Sequence, residues 1–99
     1  MYAQKRYAEA YDFYSKAVEV STEATENVHI FYANRAMCLL GLHRYEEALS
    51  DSNKAIELNP SYAKAYLRKA EAERELLMND KAIETLQKGL EIEGENELL

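Results

Sequence analysis

The sequence predicts an all-α protein of antiparallel helix pairs, about two and a half of them in 99 residues. Three observations carry that prediction. The chain repeats itself, with Ala10, Ala48 and Ala82 marking the same place in three similar stretches. Its apolar residues recur three and four apart, the spacing of one helix face. Only 3 Gly and 1 Pro are present to interrupt a helix.

Taken in order, Tyr7–Val20, Tyr45–Leu58 and Asn79–Ile92 align as one type of helix. Alanine recurs at Ala10, Ala48 and Ala82, lysine at Lys16, Lys54 and Lys88, and glutamate at Glu19, Glu57 and Glu91. Apolar columns run through Val18, Ile56 and Leu90, and a small-residue column through Ala17, Ala55 and Gly89. A second type lies between them, His29–Leu42 and Ser61–Leu77. Tyr32 matches Tyr66 and Ala36 matches Ala70, at the same offset that separates Ala48 from Ala82. Breaks are expected at Gly41-Leu42-His43-Arg44, Asn59-Pro60-Ser61, Met78-Asn79-Asp80 and Gly94. Pro60 cannot continue a helix, and Ser61 reads as the N-cap of the next.

These breaks divide one domain, residues 1–99, into a partial first unit (1–28), a second (29–62) and a third (63–96). The first unit enters halfway. Tyr7 starts its second helix, so only Met1–Gln4 are left for the tail of a first. Four extra residues around Thr22–Val28 lengthen that second helix or its loop. Tyr7, Tyr11, Tyr14 and Val18 then form a stripe facing the place of the absent helix. An exposed apolar face of this kind is expected to self-associate.

Composition narrows the function. With 12 basic and 18 acidic residues the net charge is −6, unsuited to a nucleic-acid partner. The longest apolar stretch, about Ala36–Leu42, falls far short of the ~18 residues of a membrane span. No secretory leader is visible, and the single Cys38 suits a reducing, cytoplasmic or nuclear setting. Cys38 sits among Met37, Leu39 and Leu40 and reads as a core thiol. His29 and His43 are about 21 Å apart along one helix, too far to share a metal. No phosphate loop, zinc spacing or nucleophile elbow occurs, so neither catalysis nor a cofactor is expected.

The helix–turn–helix pattern at a period of roughly 34 residues, with Ala10, Ala48, Ala82 and the late Pro60, resembles the tetratricopeptide repeat (TPR) family over essentially the whole chain. The resemblance implies a right-handed superhelix, the TPR solenoid, with a concave groove lined by the first helix of each unit. Function on such a scaffold resides in the groove. Lys64 and Arg68 stand one turn apart, and Asn34 is the repeat equivalent of Arg68. Two cations and an amide suit carboxylate oxygens, which arginine can hold in a fork.

The strings Tyr32-Ala33-Asn34-Arg35-Ala36 and Lys64-Ala65-Tyr66-Leu67-Arg68-Lys69-Ala70 further resemble the carboxylate-clamp co-chaperones. Members of that subfamily grip the C-terminal Glu-Glu-Val-Asp tails of the seventy- and ninety-kilodalton heat-shock chaperones. The resemblance implies that Asn34, Lys64 and Arg68 are three of five clamp residues, the other two belonging to the missing helix. Met37, one turn beyond Asn34, lies on the groove floor or in the core. A solvated, charge-mixed face is the alternative for Lys64 and Arg68, since Glu71 and Glu75 follow at helical spacing and Glu71 is placed to pair with Arg68. The competing functions are an assembly scaffold with no carboxylate preference and the targeting domain of a larger enzyme.

Overall fold

The computed structural model describes residues 2–21 and 27–98. Five helices follow one another: α1 (Tyr2–Val20), α2 (Val28–Gly41), α3 (Tyr45–Leu58), α4 (Ala63–Glu75) and α5 (Asn79–Leu98). Each packs antiparallel against the next, giving the pairs α2/α3 and α4/α5 with α1 unpaired in front of them. No strand occurs among the described residues.

One further contact bends the stack. The backbones of the first helices of the two pairs, α2 and α4, approach each other directly, whereas those of α1, α3 and α5 stay apart among the described residues. The helices that meet lie inside the bend and those that splay lie outside. The wall formed by α2 and α4 is therefore the concave one.

Small residues let the helices approach. Ala36, Ala48 and Ala72 are fully buried with Leu39 in one cluster, against which Tyr11, Leu40 and Leu49 pack. Ala33, Ala55 and Ala65 form a second, covered by Tyr32, Ile56 and Tyr62. Ser52 is fully buried where α3 needs a small side chain, and its hydroxyl donates to the Ala48 carbonyl at 2.8 Å. That internal bond removes the cost of an unpaired buried hydroxyl.

Several expectations need correcting. Tyr2–Gln4 continue α1 without a break, so they are not the tail of a separate first helix. The stripe of Tyr7, Tyr11, Tyr14 and Val18 does not face an empty place. Tyr11 packs on the α2/α3 core, and the Tyr7 ring lies so close to Gly41 that a Cβ there would come within 2.5 Å of it. Tyr14 and Val18 are half-buried. The large apolar groups of α1 that are most exposed are Phe13 and Val20, at 66% and 79%, while Tyr7 keeps 37% of its surface exposed. α1 ends at Val20 and α2 starts at Val28, and of the extra residues expected around Thr22–Val28 those at 22–26 lie outside the described residues.

The turns also differ. Ser61 caps nothing: α4 starts at Ala63 after Tyr62, with no side-chain cap. The turn is made by Asn59, whose Oδ1 accepts the Ser61 backbone N–H at 3.1 Å. Asparagine commonly makes this local turn. Gly94 lies inside α5 and ends nothing. In the turn within each pair the left-handed residue is not a glycine. It is His43 (φ 61°) in the first and its repeat equivalent Leu77 (φ 64°) in the second.

Candidate functional site

The concave wall carries Asn34 and Met37 on α2 and Lys64 and Arg68 on α4. Asn34, Met37 and Arg68 are half-buried and Lys64 is exposed. Their backbones are fixed from behind, because Ala33 and Ala36 flank Asn34, Ala65 follows Lys64, and all three alanines are buried in the core. Four residues along a helix return to the same face about 6 Å further on, so Lys64 and Arg68 point the same way.

The hydrogen-bonding state of these side chains is informative. Neither the Asn34 amide nor the Lys64 ammonium has a hydrogen-bond or ion-pair partner among the described residues. Arg68 has one, Glu71. A single nitrogen, Nη1, lies 3.3 Å from Glu71 Oε1 and 3.5 Å from Oε2, which leaves Nε and Nη2 unused.

Arg35, beside Asn34 in sequence, shows what a committed arginine looks like here. Its Nε and Nη2 donate to Asp51 Oδ2 and Oδ1 at 2.7 and 2.9 Å, and Nη1 donates to Ser15 Oγ at 3.4 Å. Its guanidinium also lies 5.3 Å from the Tyr32 ring centre and 5.9 Å from that of Tyr11. The hydrogen bond to Asp51, more than burial opposes it, raises the Arg35 pKa. Arg35 therefore ties α1, α2 and α3 together and is not available to a ligand. Nothing in the sequence announced this pair, since Arg35 and Asp51 belong to different helices with no shared spacing.

Other groups set aside from the sequence also find structural roles. His29 packs edge-on against Tyr62, and its Nε2 lies 3.2 Å from Asn59 Nδ2. Cys38 is completely buried, and desolvation pushes its thiol pKa up. No cluster of three or more metal-ligating side chains occurs among the described residues. No described helix is long and apolar enough to cross a membrane.

One buried group escaped the sequence reading. Glu73 is only 3% exposed, and its Oε1 has no hydrogen-bond partner. Its equivalent in the preceding repeat is the core residue Leu39, a column already legible in the sequence.

Two successive stretches of the chain, residues 30–62 and 63–96, match the tetratricopeptide repeat. The chain belongs to the tetratricopeptide repeat family. Its five helices superpose on TPR solenoids. The TPR2B domain of yeast Sti1, in a complex with pHsp70, gives a TM-score of 0.83 at 31% identity, covering 95% of this chain and 72% of that one. The second TPR of Spaghetti (RPAP3), bound to the HSP90 peptide SRMEEVD, gives 0.78 at 30% identity, covering 87% of this chain and 76% of that one. Among curated relatives, Hsp70-Hsp90 organizing protein 3 of Arabidopsis thaliana is 43% identical over 96 residues, 97% of this chain. This TPR chain spans only 16–20% of the length of such relatives.

Proposed function

We propose that this TPR chain is a protein-interaction module of co-chaperone type. It binds the acidic C-terminal tail of seventy- or ninety-kilodalton heat-shock chaperones in a cytoplasmic setting. Asn34, Lys64 and Arg68 hold the carboxylates, and Met37 contacts the peptide beside Asn34. The observation that carries this reading is the set of unspent donors on one rigid wall: an amide and an ammonium with no partner among the described residues, and a guanidinium with two nitrogens free. Relatives of the same fold bound to pHsp70 and to the peptide SRMEEVD support it, because a terminal aspartate offers two carboxylates to such donors.

A scaffold without carboxylate preference is the second reading. It is favoured by the open end of the stack, where Leu67, Ile83 and Leu86 are 40%, 56% and 42% exposed around a recess of ≈ 470 Å³. One titration separates the two. A fluorescent Met-Glu-Glu-Val-Asp peptide is added to the chain at low salt, beside the same peptide with an amidated C-terminus. Binding of the free acid only is expected. Equal binding of both peptides, or of neither, would reject the carboxylate site.

A further inference from the structure

Arg68 and Arg35 are both paired arginines, yet their pairs differ in kind. Asp51 takes two nitrogens of Arg35 at 2.7 and 2.9 Å, with side-chain exposures of 20% and 10%. Glu71 takes one nitrogen of Arg68 at 3.3 and 3.5 Å, with exposures of 24% and 33%. The first has the short, forked geometry of a strong charge-assisted pair, and the second lies at the outer limit of a hydrogen bond. Both partners in the second pair retain contact with water, so little is lost when it opens.

Glu71 is nevertheless a full carboxylate within reach of the guanidinium that the proposed function assigns to a ligand carboxylate. Arg68 and Glu71 are three residues apart on α4, so the helix holds them as neighbours throughout. An incoming carboxylate on Nε and Nη2 would sit beside the Glu71 charge, and one on Nη1 would have to replace it.

From this geometry we infer that Glu71 is a resident competitor, an internal carboxylate on Nη1 of Arg68 whose charge opposes the C-terminal carboxylate of a peptide. It does so whether that carboxylate takes the free Nε and Nη2 or displaces Glu71 from Nη1. The inference rests on the carboxylate-binding reading of Asn34, Lys64 and Arg68. It makes Glu71 the residue that sets the affinity of the site, holding it below what its three donors would otherwise give. Binding at Arg68 then works against a resident negative charge: a carboxylate on Nε and Nη2 is repelled by Glu71 beside it, and one that needs Nη1 must first remove Glu71.

The test compares Glu71→Gln with the unchanged chain. Glutamine keeps the size and a hydrogen-bonding oxygen but removes the charge. Glu75→Gln is the control, because it changes the net charge equally, one turn further on, where the carboxylate pairs with Arg74 rather than Arg68. The probe is the fluorescent Met-Glu-Glu-Val-Asp peptide, as free acid and amide, with circular dichroism checking that each variant is folded. Glu71→Gln is expected to tighten the free acid by about three- to tenfold and leave the amide unchanged, while Glu75→Gln moves neither by more than about twofold. Equal affinity of Glu71→Gln and the unchanged chain, with binding still lost in Arg68→Ala, would overturn the competitor and keep the site. An equal gain in Glu75→Gln would also overturn it, as a general charge effect. If neither the unchanged chain nor Glu71→Gln binds the free acid, the site and the competitor fall together.

Discussion

Leu39 and Glu73 occupy the same place in successive helix pairs, at 1% and 3% exposure. One is an apolar side chain at the centre of a core cluster, and the other is a carboxylate with an oxygen that meets no donor. Such an oxygen gives up its water without a replacement. Restoring the apolar residue in Glu73→Leu is expected to stabilise the fold by about 1–3 kcal/mol. A urea titration would show this as a higher midpoint with an unchanged slope; a lower midpoint would mean that the carboxylate has a function in holding α4.

The Arg35–Asp51 fork predicts the opposite effect. Asp51→Ala removes two charge-assisted hydrogen bonds and leaves a largely buried guanidinium without its carboxylate. A loss of about 2–3 kcal/mol is expected, measured by the same unfolding curves. Since Arg35 joins α1 to α2 and α3, amide exchange in α1 should speed up more than in α5.

Leu77 stands in the left-handed region at φ 64° with 83% of its surface exposed, so it incurs backbone strain and gains little packing. A left-handed residue other than glycine costs roughly 1–2 kcal/mol, of which glycine's extra chain entropy gives back part. Leu77→Gly should therefore raise stability by about 0.5–1 kcal/mol, visible as a melting temperature higher by a few degrees. His43→Gly should gain less, because the His43 Nδ1 is hydrogen-bonded to the Tyr45 hydroxyl at 2.6 Å.

Cys38 supplies a pH dependence. Burial raises its pKa in the folded state, so the folded chain favours the protonated thiol. The stability this contributes is complete below the unfolded thiol's pKa, near roughly 8.5, and is lost as pH rises beyond it. Unfolding midpoints should fall above that pH in the unchanged chain and fall less in Cys38→Ala. The folded protein should also resist thiol-specific alkylation until denaturant is added.

At the proposed site, Arg68→Ala should weaken the free-acid peptide by about 10- to 100-fold, the loss of a charge-assisted contact of roughly 1.5–3 kcal/mol. Lys69→Ala, the adjacent residue in sequence and about 100° round the helix, should change it by less than about threefold. Fluorescence anisotropy at two salt concentrations would read both effects, with weaker binding at the higher salt. Equal losses in the two variants would remove Arg68 from the site.

The helices were legible because each is periodic along its own length. Ala48 and Ala55 declare a buried face of α3 by spacing alone, and Ala36 and Ala70 mark close crossings in the same way. The equivalence of Leu39 and Glu73 was equally readable. Gly41 shows the limit of such reading: placed in a turn by its residue type, it lies in α2, where the Tyr7 ring occupies the space a Cβ would need. Ser61 fails to cap α4 for a similar reason, since serine suits a turn as well as a cap and the backbone selects between them. The donors Asn34, Lys64 and Arg68 could be named from their columns, but whether they were already spent could not.

By itself, then, the sequence determined the number of helices, their alternation in two types and the faces they bury. All of these follow from spacing within one element. The tertiary structure decided which residues from different helices meet: Tyr7 with Gly41, Arg35 with Asp51, α2 with α4 on the inner side of the bend. It also decided how closely Glu71 holds Arg68, which spacing only permitted. The physical reason is that helical periodicity is set by backbone hydrogen bonds between near neighbours. The approach of two helices depends on the fit of side chains far apart in the chain, and no single column records it.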